Sequence, residues 1–353
     1  MFVALRDLKF AKGRFALMGA VVTLITLLVV LLSGLTAGLG RENVSAITDL
    51  DADHLVFAAP AQGQDISFSD SVIPAGTQEA WTGVDGVASV EPIALGMSRV
   101  ESGERSTGVA FFAVGGSSTL PPAAVRGGEV VLAEQAAEDL GVVAGDTVAV
   151  GGTELEVAAV AGRDSYSHAP VAWISTADRP TTGADPTAAT VLAIHAGAAD
   201  LPAADADLGT ETVTVADSLN AIGSYSSENG SLQLMRGLLL AISALVIGAF
   251  FTVWTVQRSP EIAILKAVGA STGYLLRDAV GQAFVLLLFG TGLGAALAAG
   301  LGALASAAVP FVLDPATVLL PAALLVVLGL VGAAASLRRI ATVDPLTALG
   351  SAR

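Results

Sequence analysis

Phe15–Gly40, FALMGAVVTLITLLVVLLSGLTAGLG, runs 26 residues without a charge between Arg14 and Arg41. A helix needs about 20 apolar residues to cross the hydrocarbon of a bilayer, so this stretch is long enough to span. Three more uncharged stretches lie downstream: Gly237–Gln257, Ala279–Leu313 and Pro315–Leu337. The second of these is too long for one crossing. It reads as a helix over about 279–301 followed by a Gly/Ala-rich outer segment that ends near Pro310. Together the four stretches predict an integral membrane α-helical protein with four transmembrane helices. Phe15–Gly40 has a competing reading as a cleaved signal peptide. Its apolar run exceeds the usual core of about 7–15 residues in such peptides, which favours an uncleaved anchor.

The composition points the same way. Of 353 residues 53% are hydrophobic and 14% charged, against about 25% charged in a soluble domain. Cysteine is absent, which excludes a disulfide scaffold, cysteine-ligated zinc, iron–sulfur clusters and a thiol nucleophile. The net charge of −15 disfavours nucleic acid as a partner, because sequence-independent binding needs a basic surface.

Charge placement predicts the orientation. Residues 1–14, 258–278 and 338–353 together carry 10 basic and 4 acidic side chains, whereas residues 41–236 carry 7 basic and 27 acidic ones. Basic loops stay on the cytoplasmic side, so both termini are expected inside and the acidic segment outside a cell membrane crossed several times. The expected order is a cytoplasmic segment 1–14, a first span 15–40, an extracytoplasmic domain 41–228 and a stalk with the second span over 229–257. A cytoplasmic coupling helix and loop 258–278, a third span with its outer segment 279–313, a fourth span 315–337 and a cytoplasmic tail 338–353 follow.

Within the acidic segment, period-two and buried-strand patterns occur at His54–Ala59, Val87–Ile93, Gly108–Val114, Thr147–Val150, Glu154–Val160 and Thr190–His195. Val130–Leu140 reads as a strand end running into a helix. A mixed α+β domain inserted between helices 1 and 2 is the expectation. Arg179–Ala188 and Ala198–Leu208, rich in Gly, Ala, Asp and Pro, read as loops.

Much chemistry is missing. A nucleotide-binding P-loop needs Lys followed by Ser or Thr, but the lysines Lys9, Lys12 and Lys266 precede Phe10, Gly13 and Ala267. The chain therefore does not bind ATP in that way. His54, His168 and His195 show no metal-ligand spacing and read as ordinary residues of the external domain. A GxSxG match at Gly269–Gly273 lacks the preceding strand that a nucleophile elbow requires. Acid pairs such as Glu138 and Asp139 read as solvated surface, with a weak cation site as the alternative.

The stretch RSPEIAILKAVGASTGYLLRDAV, Arg258–Val280, follows the second span directly. It predicts a short amphipathic helix with Pro260 near its first turn, Ile262, Leu265 and Val268 on or near one face, and Gly269 at its end. Glu261 and Lys266 complement the helix dipole at its two ends. Such a helix, lying along the cytoplasmic surface, is a handle for a soluble partner; the alternative is a plain membrane-surface linker.

These residues carry a family resemblance. RxxEIAILKAVGAS resembles the coupling-helix signature of the MacB/FtsX-type ABC permeases, and RRIATVDPLTAL at Arg338–Leu349 resembles their C-terminal signature. LAEQAAEDLGVVAGDTV at Leu132–Val148 resembles their external core domain. The resemblance covers nearly the whole chain. It implies a homodimer paired with two copies of a separate ABC ATPase, with no enzyme activity in this chain. ATP-driven closure of the ATPase would push on the coupling helix, with Glu261, Ile262, Leu265, Lys266 and Gly269 as its contact residues, and force would travel up the second span. Within the family the chain most resembles the heme-efflux branch (Hrt type), in its short length, compact external domain and IGSYSSENGSL at Ile222–Leu232. That branch extrudes heme that has partitioned into the membrane, so heme is the implied cargo and no permanent cofactor is implied.

The residues around the second span fit such a cargo. On one helix, Glu228 and Met235 fall about 20° apart and Tyr225 about 60° from that face. A carboxylate, a thioether and a phenol are plausible ligand types for heme iron. Arg236 suits a propionate, and Leu232, Leu239, Leu31 and Leu35 suit the porphyrin. The alternative readings are a solvated stalk residue for Glu228, a packing residue for Met235 and an interfacial anchor for Arg236. No His or Cys is expected near, so any heme site reads as weak and transient, which suits export. Gly34–Gly38 forms a GxxxG that suits close approach of two protomers, and Gly290–Gly294 suits packing of the third span. Two competing functions remain: export of another amphiphile (a lipid, lipopeptide or antibiotic), and an FtsX-like regulator that switches an external hydrolase without transport.

Overall fold

The computed structural model describes residues 12–180, 185–306 and 309–341, without the side chains of Lys12, Arg14, Ser259, Glu261 and residues 337–341. The chain divides into two compact units. A sheet unit comprises Leu39–Gly230, and a helical unit comprises Met1–Gly38 with Ser231–Arg353.

The helical unit is built from α1 (Lys12–Thr48), α6 (Gly223–Ala267), α7 (Thr272–Ala305) and α8 (Pro315–Ala341). Each contains a stretch long and apolar enough to cross a membrane. Some large apolar side chains on these helices face outward, Leu304 at 77% exposure and Phe289 at 74%, while Phe251, Trp254 and Leu287 are buried, and several glycines lie at contacts between helices. A methyl group at Gly290 would sit 2.8 Å from Val22, and one at Gly294 would sit 2.5 Å from the Thr23 carbonyl, so Gly290 and Gly294 let α7 close on α1. The Thr23 hydroxyl donates to the Gly290 carbonyl at 3.1 Å across the same contact. Small residues with a polar tie are how helices associate where lipid removes the hydrophobic driving force.

Three expectations are corrected here. The GxxxG of α1 does not present a free face: a methyl at Gly34 would collide with the Phe311 ring and one at Gly38 with the Pro310 carbonyl. The outer segment therefore folds back onto α1, and the Val312 amide donates to the Gly34 carbonyl. The coupling helix is not separate from the second span. α6 is unbroken for 45 residues with Pro260 inside it. Gly269 (φ +104°) ends the turn that follows, its amide and that of Ala270 closing back on the Lys266 and Leu265 carbonyls. The third helix begins at Thr272, seven residues before Ala279, because Ser271 caps it by accepting the Tyr274 amide. That cap is the role of the serine in the GxSxG match.

The sheet unit holds β1 (His54–Ala58), α2 (Ala75–Thr82), β2 (Ser89–Ser102), β3 (Arg105–Val114), β4 (Glu129–Leu132), α3 (Glu134–Leu140), β5 (Thr147–Val150) and β6 (Thr153–Val160). It continues with β7 (Ser165–Tyr166), β8 (Ala169–Ser175), β9 (Val191–His195), α4 (Leu201–Leu208), β10 (Thr210–Thr214) and the short α5 (Val215–Ser218). One mixed sheet runs β10-β1-β9-β2-β3-β8-β4-β6-β5. The 14-residue β2 also pairs with β5 at Val100–Val150 and Glu101–Ala149, so β2, β3, β8, β4, β6 and β5 close on themselves, and Val100, Val109, Val130, Leu155 and Ile174 pack within that half. Strands β10, β1 and β9 continue as an open wing. Trp81 of α2 fills the wing's core with Ile73, Leu192 and Ile194. On another face Phe57, Phe68, Tyr166 and Phe112 stack edge-on in a continuous aromatic seam that Trp173 extends at a tilt, with Ile47 and Leu50 from the end of α1 packed in the same cluster. Ala198–Leu208, expected as a loop, contains a helix. Asp200 caps it by accepting the Ala203 amide, Pro202 sits in its first turn, and Gly209 (φ +66°) ends it.

Candidate functional site

A polar cluster lies in the sheet unit, where α1, the β7–β8 turn and the start of α6 meet. Strands β7 and β8 are joined by two residues, Ser167 and His168, with φ of 52° and 64°. A two-residue hairpin turn of this hand needs positive φ at both positions, which normally selects Asn-Gly. Here the backbone is held instead from outside. The Ser167 amide donates to the Asn43 carbonyl at 3.0 Å and the His168 amide to the Glu42 carbonyl at 3.2 Å. Ser45 of α1 accepts the Ser165 amide at 2.8 Å.

This turn aims His168 at Glu228. Their Nε2 and Oε2 atoms are 2.9 Å apart. Asn43, almost wholly buried, donates its Nδ2 to the same Glu228 oxygen at 3.4 Å. Its amide orientation follows from its other end, where Oδ1 accepts the Ser224 hydroxyl at 2.6 Å. Asn43 Nδ2 also lies 3.2 Å from His168 Nε2, and His168 Nδ1 faces Glu42 at 4.0 Å. The expectation that no histidine lies near Glu228 is thus overturned: 60 residues of sequence separate the two, and a Ser-His turn bears no sequence signature that would have paired them.

The other predicted heme residues are distributed as follows. Tyr225 is half-buried and packs on the aromatic core of the sheet unit. In the helical unit Met235 is 49% exposed and Leu232 partly exposed. Arg236 lines a crevice between helices with Val29, Leu32, Ser33, Leu239, Leu240, Leu320, Pro321 and Leu324. Of the porphyrin-holding leucines, Leu239 is in this crevice, while the first helix contributes Val29 and Leu32 to it in place of Leu31 and Leu35. Pro321 inside α8 cannot donate to the turn before it. A cation among leucines and a proline suits an apolar molecule with an anionic end.

At the α6–α7 turn, Ile262 is buried with Phe15, Trp254, Leu275 and Ala279, so it is a core residue and not part of a docking face. Ile264, Leu265, Val268 and Tyr274 are exposed there, and Lys266 is half-exposed. The Glu261 side chain and the C-terminal signature beyond Ala341 lie outside the described residues. Beneath this surface Arg258 lies 5.1 Å from the centre of the Trp254 ring and donates to Gln282 at 2.6 Å, and Gln282 donates to Asp278 at 2.8 Å. Gln282 is only 2% exposed. A buried polar chain in a span is costly unless it is satisfied internally, and here it ties the end of α6 to the start of α7.

Asp164 and Tyr166 in the sheet unit depart from ordinary behaviour through burial. Burial, with the Asp49 carboxylate beside it, holds the Asp164 carboxyl above the usual carboxylate range, and Arg41 works against that rise. Burial also pushes the Tyr166 phenol up, so it remains a neutral hydroxyl. Tyr166 lines, with Phe68, Met97 and Phe111, a cleft of about 530 Å³ on the sheet unit.

Comparison with known proteins is consistent over the whole chain. The family profile of the MacB-like periplasmic core domain matches residues 15–211, and that of the FtsX-like permease C-terminal matches residues 234–345. The chain is 25% identical over 360 residues to the putative hemin transport system permease protein HrtB of Staphylococcus epidermidis, covering 99% of each. It is 26% identical, with the same coverage, to the protein of that name in Staphylococcus haemolyticus. An uncharacterized ABC transporter permease of Mycobacterium tuberculosis, Rv2563, is 24% identical over 359 residues, again 99% of each. Among solved structures, the extracellular domain of the ABC-type transporter YknZ from Gram-positive bacteria aligns with 48% of this chain and 93% of its own at 15% identity and a TM-score of 0.32. The periplasmic region of MacB from Actinobacillus actinomycetemcomitans aligns with 48% and 92% at 11% identity and a TM-score of 0.35.

Proposed function

Because this chain belongs to the MacB/FtsX-type family of ABC transporter permeases, we propose that it is the membrane subunit of an efflux pump that exports heme from the membrane. The observation that carries the heme reading is the full-length likeness to permeases named for hemin transport. The residues supply compatible chemistry. Glu228, Met235 and Tyr225 offer oxygen and sulfur ligands to iron, Arg236 offers a partner for a propionate, and Leu232 offers apolar contact. Glu228, Leu232, Met235 and Arg236 all lie on the unbroken α6.

In this reading two copies of the chain work with two copies of a separate ATPase, because the chain has no P-loop of its own. The ATPase grips the exposed Ile264, Leu265 and Val268 surface, with Glu261, Lys266 and Gly269 completing the contact. Its closure pushes on this surface, and force travels up the second span. Heme passes from the outer leaflet without crossing a central channel, and both chain termini are cytoplasmic. The comparably close likeness to uncharacterized mycobacterial permeases keeps export of another amphiphile as the second reading.

Titration of the purified full-length protein with hemin tests the site. A saturable Soret shift in wild type that is lost in Glu228→Ala and Met235→Ala supports it, and identical spectra in all three reject it. The motor is tested separately: Glu261→Arg inserts into the membrane but loses ATPase-coupled transport. Full transport by that variant would place the coupling elsewhere.

A further inference from the structure

Glu228 has two carboxylate oxygens, and the structure engages them unequally. Oε2 lies 2.9 Å from His168 Nε2 and 3.4 Å from Asn43 Nδ2, and those two nitrogens are 3.2 Å from each other. Among the described residues nothing donates to Oε1. The two residues are themselves braced. Asn43 is buried and locked by Ser224. His168 stands on a turn whose left-handed backbone is unfavourable for a side-chain-bearing residue and is held by the Glu42 and Asn43 carbonyls. Glycine would serve that turn better, so the imidazole there is explained by what its ring does, and its ring meets Glu228.

We infer that His168 and Asn43 are positioning residues that hold Glu228 through Oε2 and leave Oε1 directed to a Lewis-acidic ligand, the ferric iron of a metalloporphyrin. This rests on the heme reading above and names the part of the protein that orients its carboxylate. A carboxylate oxygen is a hard, anionic donor and suits an oxidised iron centre. Hydrogen bonds from outside the ligand set fix such a donor's orientation, and their removal typically lowers metal affinity by roughly 10-fold to 100-fold. The ligand bond forms at Oε1 without loss of the His168 bond, so no proton need move.

The experiment uses the full-length protein in lipid nanodiscs, titrated in parallel with hemin and with metal-free protoporphyrin. His168→Gly keeps the turn and removes the ring; His168→Gln keeps an N–H donor. The expected result is that His168→Gly binds hemin roughly 10-fold more weakly with an altered Soret and charge-transfer spectrum. Added free imidazole restores both, and His168→Gln stays close to wild type. Affinity for metal-free protoporphyrin is the same in all, because that ligand has no iron for Oε1. Wild-type hemin affinity and spectrum in His168→Gly, while Glu228→Ala loses them, would overturn the positioning role and leave the heme reading standing. Hemin binding unaffected by Glu228→Ala would remove both.

Discussion

In the sheet unit the largest fully buried side chains include Trp81, Phe57 and Phe112, whereas in the helical unit the closest approaches are made at Gly34, Gly38 and Gly302 while Phe289 and Leu304 face outward. Large apolar side chains fill the core of the sheet unit, whereas in the helical unit they divide between a core with Phe251, Trp254 and Leu287 and an outward face. Around the sheet, water drives large apolar side chains inward. Around the helices, lipid is as apolar as leucine, so burial of a large side chain gains little and close backbone contact gains more. The sheet unit also concentrates a scarce residue type. Aromatics are only 5% of the chain, but several of them are gathered into one seam of the sheet unit.

The contrast can be broken most directly at Phe112. Replacement by alanine should cost about 3–5 kcal/mol, read as a lower melting temperature of the sheet signal in the whole protein. Phe289→Ala, on the outer face of α7, should change stability by about 0.5 kcal/mol or less. Equal losses would show that the two regions follow one rule after all. A smaller effect is expected from the glycines. Gly38→Val meets the Pro310 carbonyl and should cost about 1–3 kcal/mol, seen as reduced thermal stability in detergent. Gly292→Val, with nothing within 4 Å, should be tolerated. Equal tolerance at both would mean that the outer segment does not pack on α1.

The smallest effect concerns charge. Asp164 has its carboxyl raised by burial and by Asp49, so ionising it costs the native state more than the unfolded chain. Its proton therefore favours the fold below the unfolded carboxylate value of about 3.9, and that contribution is lost as pH rises through the raised native value. Asp164→Asn should melt slightly higher than wild type at pH 7, with the gap closing as the solution is acidified through the carboxylate range. A gap that widens in acid would reverse the assignment.

Much of the architecture was readable because it depends on local averages. Runs of uncharged apolar residues announce helices for lipid whatever they later touch, and alternation at Thr147–Val150 or Glu154–Val160 announces strands. The helix in Ala198–Leu208 was also announced, by Asp200, Pro202 and Gly209, but its Ala- and Asp-rich interior resembles a loop. Gly290 and Gly294 were readable as packing positions for the same reason that Gly34 and Gly38 were misread. A small-residue stripe says that something comes close, and only the fold says whether it is another protomer or Phe311 of the same chain.

Glu228 could be singled out from its place beside a span, since a carboxylate near lipid is costly without a role. Its setting could not. The residues that hold it come from α1, from a two-residue turn and from α6, brought together by strand pairing and helix packing across long stretches of chain. Periodicity and charge balance are properties of neighbours in sequence, and these the chain declares by itself. A hydrogen bond between His168 and Glu228 is a property of neighbours in space, and it exists only once the sheet has closed and set the turn against the helix.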